Sequence, residues 1–169
     1  MLDIDGNLFG MEINPDAIKN IPPNISLAKN IFTESDFFDL VIFRGTIQHV
    51  NDPFEMIHST YDSLKEGGHI IFLATPNTDS ILYRIKLDLP ALDKKYNYYL
   101  PGKKNLTSVL ENAGFKVVEV RYPYWKTPYR KFWLDHTLFI LNVINPFKFY
   151  NHAFWGSMMS IVAVKDKLV

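Results

Sequence analysis

Phe38-Asp39-Leu40-Val41-Ile42-Phe43 is apolar at five of its six positions. A run of that length with almost no polar interruption reads as a β-strand covered on both faces, the pattern of a parallel sheet. Toward the C-terminus, Asp52-Pro53 sets a helix cap and a first-turn proline. Phe54, Ile57, Tyr61 and Leu64 then recur at three- and four-residue spacing, which predicts one buried helix stripe. Gly67-Gly68 is expected to stop that helix, and 69–74 (HIIFLA) reads as a second doubly covered strand closed by Pro76-Asn77. Toward the N-terminus, 8–13 (LFGMEI) reads as a strand, Asn14-Pro15 opens a short helix, Pro22-Pro23 stops it, and Ile25-Ser26-Leu27 is a short strand. A helix over 100–113, with Leu106, Val109, Leu110 and Ala113 on one side, precedes strands at 115–120 and 158–164. Strands alternating with helices predict an α/β fold: a doubly wound, mostly parallel sheet with helices on both faces.

Composition narrows the function. At 169 residues the chain is the size of a single domain, and 47% hydrophobic with 21% charged residues is globular composition. Eighteen basic residues balance eighteen acidic ones, so no electrostatic field argues for nucleic acid. The absence of cysteine excludes a disulfide scaffold, thiolate-ligated zinc and a cysteine nucleophile; no metal site is expected. The most apolar stretch, 132–149, is broken by Asp135, His136, Asn142, Asn145, Pro146 and Lys148. A span needs about 20 mostly apolar residues, so no transmembrane segment is expected.

Ligands of open α/β sheets bind beyond the carboxyl ends of the strands. That rule singles out residues 12–14, 29–31, 44–49 and 75–77. Four stretches in this order carry a family resemblance: 9–18 (FGMEINPDAI), 38–43 (FDLVIF), 48–53 (QHVNDP) and 64–72 (LKEGGHIIF). Together they resemble the class I S-adenosylmethionine-dependent methyltransferases, a Rossmann-like family, and within it the small-molecule branch similar to ubiquinone-pathway enzymes. The resemblance implies S-adenosylmethionine as cofactor and methyl transfer to a small-molecule or lipid-linked acceptor in the cytoplasm. It places Glu12 on the ribose hydroxyls, a role suited to a carboxylate that accepts two hydrogen bonds. Ile13 would wall the adenine, Asn30 would accept its amino group beside Ile31, and Arg44, Gly45 and Thr46 would meet the methionine end. His49 is the catalytic candidate, as a general base or as a pocket-shaping residue, since histidine titrates near neutral pH. Gln48 stands where the family usually carries glutamate.

The resemblance also implies a part that these residues lack. A first strand with an acidic-x-G-x-G-x-G loop needs about 30 residues with its helix, and no such loop is present. The chain is therefore expected to be an N-terminally incomplete domain with two unpaired inner strand edges. Truncation, which the otherwise intact motif set favours, a segment from another chain, or loss of cofactor binding in a non-catalytic module are the alternatives, and the exposed inner edges would favour a homodimer. Asp3-Ile4-Asp5-Gly6-Asn7-Leu8 also resembles the box of haloacid-dehalogenase-type phosphatases, with Asn7 in place of threonine. Within the single domain 1–169, residues 121–157 form an aromatic and apolar insertion that follows no family pattern. It reads as a substrate cap, a peripheral membrane contact or plain packing.

Overall fold

Three short segments open the structure, a computed structural model that describes residues 6–12, 14–27, 34–89, 92, 95–125, 130–144 and 154–166. β1 (Leu8–Gly10) pairs in parallel with β2 (Ile25–Leu27) through α1 (Pro15–Ile18), whose N-terminus is capped by the Asn14 side chain accepting the Asp16 N–H. β1 is shorter than the expected strand, and Ile13, Asn30 and Ile31 lie outside the described residues.

The second sheet holds the core. It contains β3 (Phe38–Arg44), β4 (Leu64–Pro76), β5 (Phe115–Arg121) and β6 (Met158–Lys165), in the order β3-β4-β6-β5. β3 and β4 are parallel, and β6 runs antiparallel to both of its neighbours. The fold is α/β and Rossmann-like as expected, with a mixed sheet in place of a mostly parallel one. α2 (Pro53–Ser63) crosses between β3 and β4, and α4 (Lys103–Asn112) precedes β5. Ile57, Leu64, Ile70, Phe72, Leu106 and Leu110 are fully buried between helices and sheet.

Several boundaries differ from the sequence reading. α2 ends at Ser63, before Gly67-Gly68, because Leu64 turns extended and pairs with Phe38. The next pair is Leu40 with His69, so residues 65–68 bulge out of β4, with Gly67 at φ +74°. Phe54 leaves the buried stripe and sits half-exposed, edge-on to Tyr99 at 5.9 Å. β3 is covered on one face only: Val41 and Phe43 are buried, whereas Leu40 and Ile42 are exposed. The short α3 (Ile81–Lys86), capped by Ser80, has no counterpart in the sequence reading. The expected helix at 100–113 is shorter, beginning at Lys103.

The bulge gives a stability prediction. A Cβ on Gly68 would stand 2.8 Å from the Lys65 carbonyl oxygen and 3.3 Å from that of Phe38, both of them backbone atoms. Gly68→Ala is therefore expected to cost about 1–3 kcal/mol through displacement of the β3–β4 ladder. Gly67→Asn should cost less, because nothing lies within 4 Å of a Cβ there and Asn tolerates positive φ. Urea unfolding of the two variants compares them directly.

α5 (Phe132–Ile144) sits apart from the main core, on a satellite built from Tyr124 and Phe139. The Tyr124 hydroxyl donates to Asp135 Oδ2 at 3.0 Å, and the Lys131 N–H donates to the same oxygen. Burial above all, then the hydrogen bond and charge of Asp135, push the Tyr124 phenol up to about 12 against the opposing charge of Arg130. Burial raises Tyr99 to about 12 as well. An unfolded tyrosine titrates near about 10. Between these values the folded chain keeps protons that the unfolded chain has lost, so stability falls as pH rises. The urea midpoint is expected to hold up to about pH 10 and drop toward pH 12, less steeply in Tyr124→Phe.

Candidate functional site

Among the described residues, β1 pairs along one edge only, with β2, and β3 along one edge only, with β4. Leu8 to Gly10 of β1, Met11 just beyond it, and Phe38 to Phe43 of β3 line one groove of about 940 Å³. Phe9 closes it at one side, edge-on to Phe37 at 5.3 Å and to Phe38 at 5.6 Å. Asp39 and Lys65, ion-paired at 2.8 Å, lie at the amino end of β3, and Thr46 and Val50 lie past its carboxyl end. The two strands lie in separate sheets and border a shared groove.

The turn after β3 is built by one glycine and one buried amide. Gly45 adopts φ +61°, and its N–H donates to the Leu73 carbonyl at 2.8 Å. Gln48, 3% exposed, donates from Nε2 to the Gly45 carbonyl at 3.0 Å and lies 3.3 Å from His49 Nε2. His49 Nδ1 stands 3.0 Å from the Tyr96 carbonyl. A carbonyl only accepts, so Nδ1 carries the proton and Nε2 presents its lone pair to the Gln48 amide. The Gln48 amide donates in this network, whereas a glutamate at position 48 would only accept a hydrogen bond, from a ring N–H.

A tyrosine-rich segment lies across this turn. The N–H groups of Tyr98 and Tyr99 both donate to the Gln48 carbonyl, at 2.9 and 3.3 Å, and the Tyr99 hydroxyl donates to Asn105 Oδ1. Tyr96 and Tyr98 are both exposed. Gln48 Oε1, Thr75 Oγ1 and both amide atoms of Asn97 are buried with no hydrogen-bond partner among the described residues. Buried amide and hydroxyl groups without partners are costly.

The structure brings together only part of the predicted set. Thr46 lines the groove together with Met11, and Glu12 follows Met11 at the end of β1. The Glu12 side chain is exposed, and its Oε1 accepts the Asn14 N–H at 2.8 Å. It stands next to the groove without lining it. Arg44 ends β3, exposed and in register with Leu73, and leads into Gly45. His49 lies off the groove, against Tyr96. Met11, Val50 and the Tyr96–Tyr99 segment were missed by sequence reasoning. The signal available for the last was the run Tyr96-Asn97-Tyr98-Tyr99 itself.

A parallel strand pair feeding a glycine turn, with a groove running alongside β3, is the layout of a Rossmann-like fold. The chain belongs to the methyltransferase-domain family, whose model matches residues 5–120. That match replaces the phosphatase alternative for the N-terminal box, whose Asp3 lies outside the described residues. The chain is similar to the tRNA U34 carboxymethyltransferase of Desulfotalea psychrophila, with 28% identity over 113 residues. The match covers 67% of this chain and 32% of that protein, so the chain spans about a third of the length of the curated relative. Among solved structures, an S-adenosylmethionine-dependent methyltransferase from Archaeoglobus fulgidus aligns with a TM-score of 0.58 and 19% identity, covering 93% of this chain and 75% of that one. One from Mesorhizobium loti aligns with a TM-score of 0.58 and 14% identity, covering 92% and 79%. These likenesses establish the fold. No helix among the described residues is long and apolar enough to cross a membrane.

Proposed function

We propose that this chain carries out methyl transfer from S-adenosylmethionine to a small-molecule or lipid-linked acceptor in the cytoplasm, as a member of the small-molecule branch of its family. The observation that supports this most is the groove between β1 and β3, lined by Met11 and Thr46, in a methyltransferase-family chain. Its residues fit an adenosyl ligand: apolar walls from Met11 and Val50, a hydroxyl from Thr46, and a carboxylate one residue beyond the groove with an exposed side chain. When bound, S-adenosylmethionine supplies an electrophilic methyl group. Glu12 would hold the ribose hydroxyls, and Gly45 and Thr46 would hold the amino-acid end. Ile13, Asn30 and Ile31 belong to the same proposed set, and Arg44 adds positive charge at the end of β3.

On the acceptor side, His49 Nε2 is the nitrogen that could take a proton, on giving up its 3.3 Å contact with the Gln48 amide, and the Tyr96 carbonyl fixes the orientation of the ring. Tyr96 and Tyr98, both exposed, would pack against the acceptor, and the Gln48 amide would hold the ring in place. The balance of acidic and basic residues favours a small acceptor over RNA. The open edges of β1 and β3 fit one added strand that would join the two sheets and close the groove's flank. Incubation with methyl-labelled S-adenosylmethionine and a panel of hydroxyl, amine and lipid-linked acceptors tests the reading. Label transfer is expected, reduced about 10²–10⁴-fold in His49→Ala if the imidazole is the base and far less if it only shapes the pocket. Cofactor binding without transfer to any acceptor would favour the non-catalytic module.

A further inference from the structure

α5 turns its apolar side to solvent. Trp133 (82% exposed), Leu134, Ile140, Leu141 and Ile144 (77%) are all exposed, with Thr137 among them. At about 100° per residue they form one stripe roughly 120° wide. The opposite side ties the helix down: Asp135 accepts from Tyr124 and from the Lys131 N–H, His136 Nε2 accepts from Trp155 Nε1 at 3.2 Å, and Phe139 packs on Tyr124. Asp135 carries the single acidic side chain of α5 and is 2% exposed, so no carboxylate of the helix reaches its outer stripe. Arg130 and Lys131 stand exposed just before the helix, Arg130 over the Trp125 ring at 5.3 Å. All three tryptophans of the chain, Trp125, Trp133 and Trp155, lie in this region and all are exposed.

We propose that this face docks on an anionic lipid surface, with α5 lying in the interface plane. Tryptophan prefers the boundary between headgroups and acyl chains, where its ring is buried and its N–H stays wet. An apolar stripe with cations at its rim, and no exposed anion on the helix, complements acidic headgroups above hydrocarbon. A second protein copy would have to meet the same two cations with an anion that this helix does not offer. The 13 residues of α5 make a rod of about 20 Å, too short to span the hydrocarbon core, so the helix would lie flat.

Cosedimentation of the full chain with vesicles tests the proposal, comparing phosphatidylcholine alone with phosphatidylcholine mixed with phosphatidylglycerol. Tryptophan emission is followed in parallel. Binding to the mixed vesicles is expected with a blue shift, and about tenfold or more tighter than to phosphatidylcholine alone. W133S/I140S should weaken binding to both vesicle types at least tenfold. R130Q/K131Q should erase most of the preference for the anionic vesicles. Both variants change exposed positions, and circular dichroism checks that they fold. Absence of vesicle binding by the unaltered chain, or a stable solution dimer broken by W133S/I140S, would overturn the proposal; the dimer would assign the face to a second copy.

Discussion

Glu12→Ala weakens S-adenosylmethionine binding about tenfold to a hundredfold, the range expected when a charge-assisted hydrogen-bond acceptor is lost from a ligand. Glu12 follows the last groove-lining residue of β1, and its side chain is exposed with Oε1 engaged by the Asn14 N–H. A ribose diol offers two donors, which a carboxylate accepts together and an alanine does not. Glu12→Gln keeps one acceptor oxygen and should fall between the two. Because the residue is exposed and outside both hydrophobic clusters, the urea midpoint of Glu12→Ala should stay within about 0.5 kcal/mol of the parent. Equal affinity in the two proteins, measured by calorimetry, would remove the ribose role.

Phe72→Ala is the largest stability loss expected, about 3–5 kcal/mol. Phe72 is fully buried in β4, pairs in register with Phe43 on one side and Ile161 on the other, and stacks on the Phe43 ring at 5.2 Å with 11° between planes. Its removal leaves a cavity where two ladders and the aromatic stack meet, and neither neighbouring strand can shift inward without breaking pairing. With a typical total stability of about 5–15 kcal/mol, such a loss unfolds much of the population near physiological temperature. Phe72→Leu should lose far less, which separates the cavity from any loss of register.

The order of elements was legible because capping and breaking residues carry it. Asn14-Pro15 and Asp52-Pro53 open α1 and α2 as expected, and both caps are present as side-chain hydrogen bonds. Gly67-Gly68 misled for a physical reason: glycine stops a helix, yet here the pair builds a bulge in β4, since pairing Leu64 with Phe38 buries Leu64 completely. α3 was invisible because six residues are too few for a helical period to emerge. At the site, Gly45 and Thr46 could be read from their place after a strand. The tautomer of His49 could not, because it is set by a carbonyl 47 residues away in the chain. Likewise, the exposure of Leu40 and Ile42 depends on which layers cover β3, and a doubly apolar run does not encode that.

Calorimetric titration of the full chain with S-adenosylmethionine tests the central claim, that the groove between β1 and β3 receives an adenosyl cofactor. A saturable one-to-one heat is predicted, with a dissociation constant below about 1 mM despite the open flank. Silence up to millimolar ligand from a chain shown to be folded would contradict it.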